Sequence, residues 1–178
     1  MPNKIINNIL GTIINLARSI PFLILMVAVL PFTRFLLGTT IGSTATIVPL
    51  VIGAIPFVAR MVEQSLSEVD KGKIEAVEAL GGTKMQIITK VLLPEARASL
   101  IGGLAVTLVS ILGYTSFAYN ISANGLIAGI WTFYKDNPSD YLEEPIFWVL
   151  IIVVVILVQV IQELGLIISK KLDKRRIS

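Results

Sequence analysis

EAVEALGGTKMQIITKVLLP, residues Glu75 to Pro94, is a charge-mixed, glycine-broken segment set between strongly apolar stretches. Its local chemistry predicts two short helices. Asp70 is placed to cap the first, which runs through Ile74 to Leu80, and Gly81-Gly82 stops it because glycine accepts the left-handed conformation that ends helices. Thr83 followed three residues later by Gln86 fits a capping box that restarts the chain. Met85, Ile88, Leu92 and Leu93 then supply an apolar stripe for the second helix, and Pro94 is expected to bend the exit toward the next segment. Such a segment is built for water, and its neighbours are not.

The surrounding composition identifies the solvent of the rest. Of 178 residues, 54% are hydrophobic and 15% charged, and the mean hydropathy is +0.82. That is far more apolar surface than a water-soluble core of this length requires. No charged residue occurs in 19–33, 35–59, 98–134 or 145–162, and four membrane-crossing helices fit into these gaps, since a span needs about 20 residues. The first gap is short and borrows length from flanks where Arg18 and Arg34 can snorkel. The expected fold is therefore all-α, a membrane protein of about four transmembrane helices.

Lysine and arginine near the span ends set the orientation. Lys71, Lys73, Lys84 and Lys90 place the 64–94 loop inside, as Lys170, Lys171, Lys174, Arg175 and Arg176 place the 170–178 tail. Lys135 is outweighed by Asp136, Asp140, Glu143 and Glu144, so that segment faces outside. Both chain ends then lie on the cytoplasmic side of the cell membrane. The net charge of +3 arises from this bias; no basic patch interleaves with aromatics, and nucleic acid is not an expected partner.

Ahead of the first span, Ile5, Ile6, Ile9, Leu10, Ile13, Ile14 and Ala17 recur at helical spacing opposite Lys4, Asn8, Gly11, Asn15 and Arg18. Residues 1–18 thus read as an amphipathic helix that either lies in the interface or continues into the span. Residues 19–169 form the membrane domain. Pro21 and Pro31 predict kinks in the first span, Gly38, Gly42 and Ser43 a tight outside turn, and Pro49 and Pro56 interruptions of the second span, Ile41 to Ala59. The third span, Ala98 to about Tyr119, holds Gly102, Gly103, Ala105, Ser110 and Gly113, small residues suited to a crowded helix. Residues 120–134 are too polar and glycine-broken for a full span and read as a partly inserted loop. The last span runs from Ile146 to about Leu164.

Several function classes are disfavoured. With no cysteine and no histidine, disulfides, thiol chemistry and Cys or His metal sites do not arise. No phosphate cradle, HExxH or nucleophile with a matching base is present, so catalysis and ATP binding by this chain are not expected, nor is any cofactor of its own. No ionisable residue sits within the third or fourth span, unlike an ion-coupled carrier. Energy then comes from a partner or a downhill gradient.

The motif supplies the partner. EAVEALGGTKMQIITKVLLP resembles the EAA loop of binding-protein-dependent ABC import permeases of type I. Glu75, Ala76, Gly81, Val91, Leu93 and Pro94 stand at the spacing of the pattern EAA, three residues, G, nine residues, I, one residue, LP, with Val77 and Val91 as mild departures. ARSIPFLILMVAVLPFTR (17–34), IVPLVIGAIPFVARMVE (47–63), and MQIITKVLLPEA (85–96) followed by GYTS (113–116) are similar to the methionine-uptake permeases, a likeness running from about Asn15 to Gly129 and again along the last span. The resemblance implies a homodimer working with two ATP-binding subunits and an extracytoplasmic substrate-binding protein or lipoprotein, importing methionine or a related small amino acid. It also implies one more transmembrane helix before the region matching Asn15, where here only the amphipathic segment stands.

For coupling to the ATPase, the resemblance and the residue types point to Glu75, Ala76, Glu78, Ala79, Gly81, Gly82 and Pro94: small side chains allow close approach and the carboxylates are available to charged groups. An ordinary solvated hairpin would account for Gly81 or Thr83 singly; the complete spacing favours coupling. Ser110, Tyr114, Thr115, Ser116 and Asn120 are candidate pathway residues, with hydroxyls bonded back to their own helix as the alternative. Rival readings are a permease for another small polar solute and a non-transporting membrane scaffold or truncated remnant.

Overall fold

A computed structural model describes residues 4–173 of the chain; the basic residues Lys174, Arg175 and Arg176 of the expected tail lie outside them. The amphipathic pattern forms α1 (Lys4–Ser19). It does not continue in line. Pro21 disfavours helical backbone at Ile20 and itself caps α2 (Phe22–Leu37), accepting Ile24 N at 2.9 Å and Leu25 N at 3.0 Å. The two helices meet at 108° and pass as a membrane span only when taken together. By itself α2, with 16 residues, reaches about 24 Å, less than a bilayer core.

Gly38 ends α2 at φ 73° and donates to Arg34 O at 2.8 Å; Gly42, at φ 97°, opens α3 (Ser43–Ser67). Both angles are ones that side chains other than glycine resist. The interruptions expected at Pro49 and Pro56 are absent: α3 is a single helix of 25 residues. Each proline removes one internal hydrogen bond, yet both rings are buried, and packing against α1, α2 and the later helices holds the axis.

The water-side loop folds as its caps dictate. Asp70 accepts from Gly72 N at 2.8 Å at the start of α4 (Lys71–Ala79), Gly81 takes φ 76°, and Thr83 and Gln86 form a reciprocal capping box on α5 (Lys84–Ile87). One expectation fails beyond it. The buried side chains are Ile87 and Val91, while Met85 is 66% exposed and Ile88 and Leu93 also face outward. A π-helical turn (Ile88–Leu92) precedes α6 (Leu93–Tyr114), with Leu93 N bonded to Ile88 O. The wide turn re-phases the stripe by rotating the helix face. Pro94, lacking an N–H, is tolerated in the first turn of α6, and the helical run continues through it from Lys84 to Ile121.

Beyond Tyr114 the helix tightens into a 3₁₀ turn (Thr115–Ile121). The segment expected to be a loop contains α7 (Leu126–Asp136), and α8 (Pro145–Leu172) is longer than expected, carrying Lys170 and Lys171 in its last turn. The helix α6 is central but not enclosed. Gly103 lies under Met61, Gly102 under Ser169, and Gly165 of α8 against Ala105, while Leu104 and Leu108 on its other side are exposed. Within the chain α8 buries only Gly165, as suits a helix whose valines and isoleucines face lipid. Three helical stretches are long and apolar enough to cross a membrane, four if α1 and α2 count as one.

Candidate functional site

The α4 helix shows two faces of different character. Ile74 and Val77, one turn apart, pack on a cluster of Val69, Val91 and Ala96, backed by Leu66, Leu92 and Leu100. The opposite face keeps Glu75, Ala76, Glu78 and Ala79 exposed, and Leu80 at its end is 87% exposed. A leucine left so open is costly in water unless something covers it. Gly81 and Gly82 close the helix: Gly81 N donates to Glu78 O and Gly82 N to Val77 O, each at 2.9 Å. A Cβ at Gly82 would come within 2.8 Å of the Val77 carbonyl oxygen.

The inner face is tied to α6 by contacts that spacing does not reveal. Lys73 Nζ lies 2.5 Å from Glu95 Oε2, next to Pro94. Ser99 donates to Ser65 Oγ at 3.1 Å, Ser169 to the Ala98 carbonyl at 2.7 Å, and Arg97 Nε to the Leu172 carbonyl at 3.2 Å. Arg97 thereby anchors the inner end of α6 to α8. The start of α6 is thus held from three sides, by α4, α3 and α8.

The candidate pathway residues fall in different surroundings. Ser110 and Thr115 donate to Val106 O at 3.0 Å and Leu112 O at 2.6 Å; Ser116 donates to Gly113 O at 2.7 Å, and Asn120 Nδ2 to Phe117 O at 3.0 Å. Tyr114 stacks on Phe22 with ring centroids 4.5 Å apart and meets Phe57 edge-on at 5.9 Å. Ser110 faces a cleft of about 310 Å³ between α3 and α6, whereas Thr115 lines a separate hollow of about 300 Å³ with Ser43, Thr46 and Asn124. At the far end Ser43 and Asn124 exchange bonds of 3.2 and 3.1 Å, and Gly42 N donates to Ile121 O at 2.8 Å. Tyr119 stacks on Trp131, and Lys135 lies 5.0 Å from the Tyr119 ring centroid. A hydrogen bond with the Tyr119 hydroxyl, and then the charge on that group, raise the Lys135 pKa above the ordinary lysine value.

Residues 1–174 match the family described as the binding-protein-dependent transport system inner membrane component. The chain is 41% identical over 177 residues to the probable D-methionine transport system permease protein MetI of Vibrio cholerae serotype O1, covering 98% of this chain and 76% of that one. It is 41% identical over 178 residues to the methionine import system permease protein MetP of Bacillus subtilis, covering 97% and 76%. Its fold is similar to a chain of a solved inward-facing MetNI methionine ABC transporter, with a TM-score of 0.85 at 40% identity over 96% of this chain and 77% of the other. In coverage, in helix order and in the water-side loop that its caps fold, the chain belongs to the inner membrane components of binding-protein-dependent transport systems.

Proposed function

We propose that this chain is the membrane-spanning permease subunit of an ATP-driven importer for methionine or a closely related amino acid. It works as a homodimer with ATP-binding subunits on the cytoplasmic side and a substrate-binding protein outside. Residues 19–169 form the permease domain, with 1–18 as an amphipathic flank and 170–178 as a basic tail. The carrying observation is the division of α4 into an inner face tied to α6 and an open outer face. Glu75, Ala76, Glu78, Ala79 and the Gly81-Gly82 stop would seat against the ATPase, and Pro94, at the base of α6, would receive the motion. Because α4 and α6 share one apolar cluster, a displacement of α4 reaches the membrane helices as a tilt rather than dissipating in a loop. Ser110, Tyr114, Thr115, Ser116 and Asn120 are the proposed pathway residues.

The test is uptake of labelled methionine into vesicles carrying the assembled transporter, with unlabelled amino acids and sugars as competitors. ATP-dependent uptake that methionine competes and sugars do not is the expected result. A Gly81→Trp change should abolish it while leaving the chain in the membrane. Uptake that persists at the wild-type rate in that variant refutes the coupling role, and competition by a different solute class reassigns the substrate.

A further inference from the structure

The cleft between α3 and α6 brings charged, polar and aromatic side chains together along two membrane helices. Phe57, Arg60 and Gln64 of α3 recur every three to four residues along one wall, Thr107 and Ser110 of α6 stand opposite, and Arg18 at the end of α1 closes the head. The foot reaches Ser65 and Ser99, at the inner end fixed by the Arg97 anchor. Charged and polar groups along a membrane helix are costly unless they pair or line a wet cavity, and they mark solute routes for that reason. The two arginines differ. Arg60 is held by Glu63 at 2.6 Å. Arg18 forms no ion pair among the described residues, and its guanidinium carbon sits 5.5 Å from the centroid of the Phe57 ring. A guanidinium braced on an aromatic face keeps its fork of donors directed outward, and it matches a carboxylate. The volume, about 310 Å³, lies at the lower end of the range for small-molecule sites. Met61 and Val106 add apolar wall beside Phe57, fitted to an unbranched side chain.

We propose that this cleft is an inward-facing release site for the amino acid, with the substrate carboxylate on Arg18 and its side chain along Phe57 and Met61. The inference rests on the importer reading and adds the position of the solute on its way out. The Gln64 carbonyl and Ser110 hydroxyl oxygens are acceptors in the same cleft for the ammonium group. A lipid phosphate would satisfy the guanidinium as a carboxylate does, so the probes must differ at the carboxylate alone.

Equilibrium binding of labelled L-methionine to the nucleotide-free permease–ATPase complex, without the binding protein, provides the test, with methionine and methioninol as competitors. The expected result is competition by methionine at least about tenfold stronger than by methioninol, which lacks the carboxylate. Arg18→Gln should erase that distinction and Arg18→Lys keep part of it; should Arg18→Gln fail to assemble, Phe57→Ala should weaken both competitors alike. Absence of carboxylate-dependent binding in the wild type, the full distinction in Arg18→Gln, or undiminished binding in Phe57→Ala overturns the site. ATP-driven uptake is followed in parallel: its loss in the wild type sinks the importer reading itself, and uptake with unaltered binding in the variants removes only this cleft.

Discussion

A single methyl group at position 82 separates a glycine needed for its flexibility from one needed for space. Gly81 requires the left-handed backbone, at φ 76°, whereas at Gly82 a Cβ would press on the main-chain oxygen of Val77 at 2.8 Å. A backbone atom cannot rotate away as a side-chain end can, so Gly82→Ala should shift the end of α4 at a cost of roughly 1–3 kcal/mol. The expected outcome is an inserted chain that retains less ATPase subunit on purification and transports several-fold more slowly. Gly11→Ala, where nothing lies within 4 Å, serves as the contrast and should transport as the wild type does. The positions of these turns were legible in the sequence because a cap is decided by two or three adjacent residues. The Val77 contact was not: the Gly-Gly pair announces a stop without saying which glycine has no room.

Among the elements, the informative unit is α4, α5 and the start of α6. The capping box at Thr83 and Gln86 and the Asp70 cap could be read directly, since both are sequence-local. The choice of buried face at Ile87 and Val91 could not, because the π-helical turn shifts the helical phase that a simple period assumes. The Lys73–Glu95 pair joins residues brought together only by the folded loop. Both side chains keep appreciable exposure, 50% and 31%, so the pair adds little to stability, about 0–1 kcal/mol. Its consequence is directional: it links the water-side helix to the residue after Pro94. Lys73→Glu and Glu95→Lys should each leave membrane abundance unchanged while lowering uptake per ATP hydrolysed about two- to fivefold, and the exchanged double variant should recover much of the loss. Equal coupling ratios in all four proteins would show that the shared apolar cluster transmits the motion unaided.

At the scale of the whole molecule, the charge bias assigns the orientation, and the tertiary contacts gather the segments it assigns to each side at one pole. Lysines mark the α4–α5 loop and the end of α8 as the cytoplasmic pole, and the fold brings those regions together through Arg97 on Leu172 and Ser169 on Ala98. The acidic segment after Lys135 belongs to the opposite pole, where the α2–α3 turn meets Asn124 and Ile121. Span number was therefore legible from gaps between charges, except at α1 and α2. There a charge gap records apolarity but not direction, and only the backbone restriction imposed by Pro21 turns the chain through 108°. Because the native chain has no cysteine, introduced thiols report sidedness without background. Ser139→Cys, in the acidic segment, should react with a membrane-impermeant maleimide in intact cells. Ser67→Cys, exposed at the foot of α3, should react only after the membrane is opened. The reverse pattern would place α4 outside, away from any ATP, and would remove the physical basis for coupling. Labelling of both in intact cells would instead require a water path through the bundle from the outer side to the foot of α3.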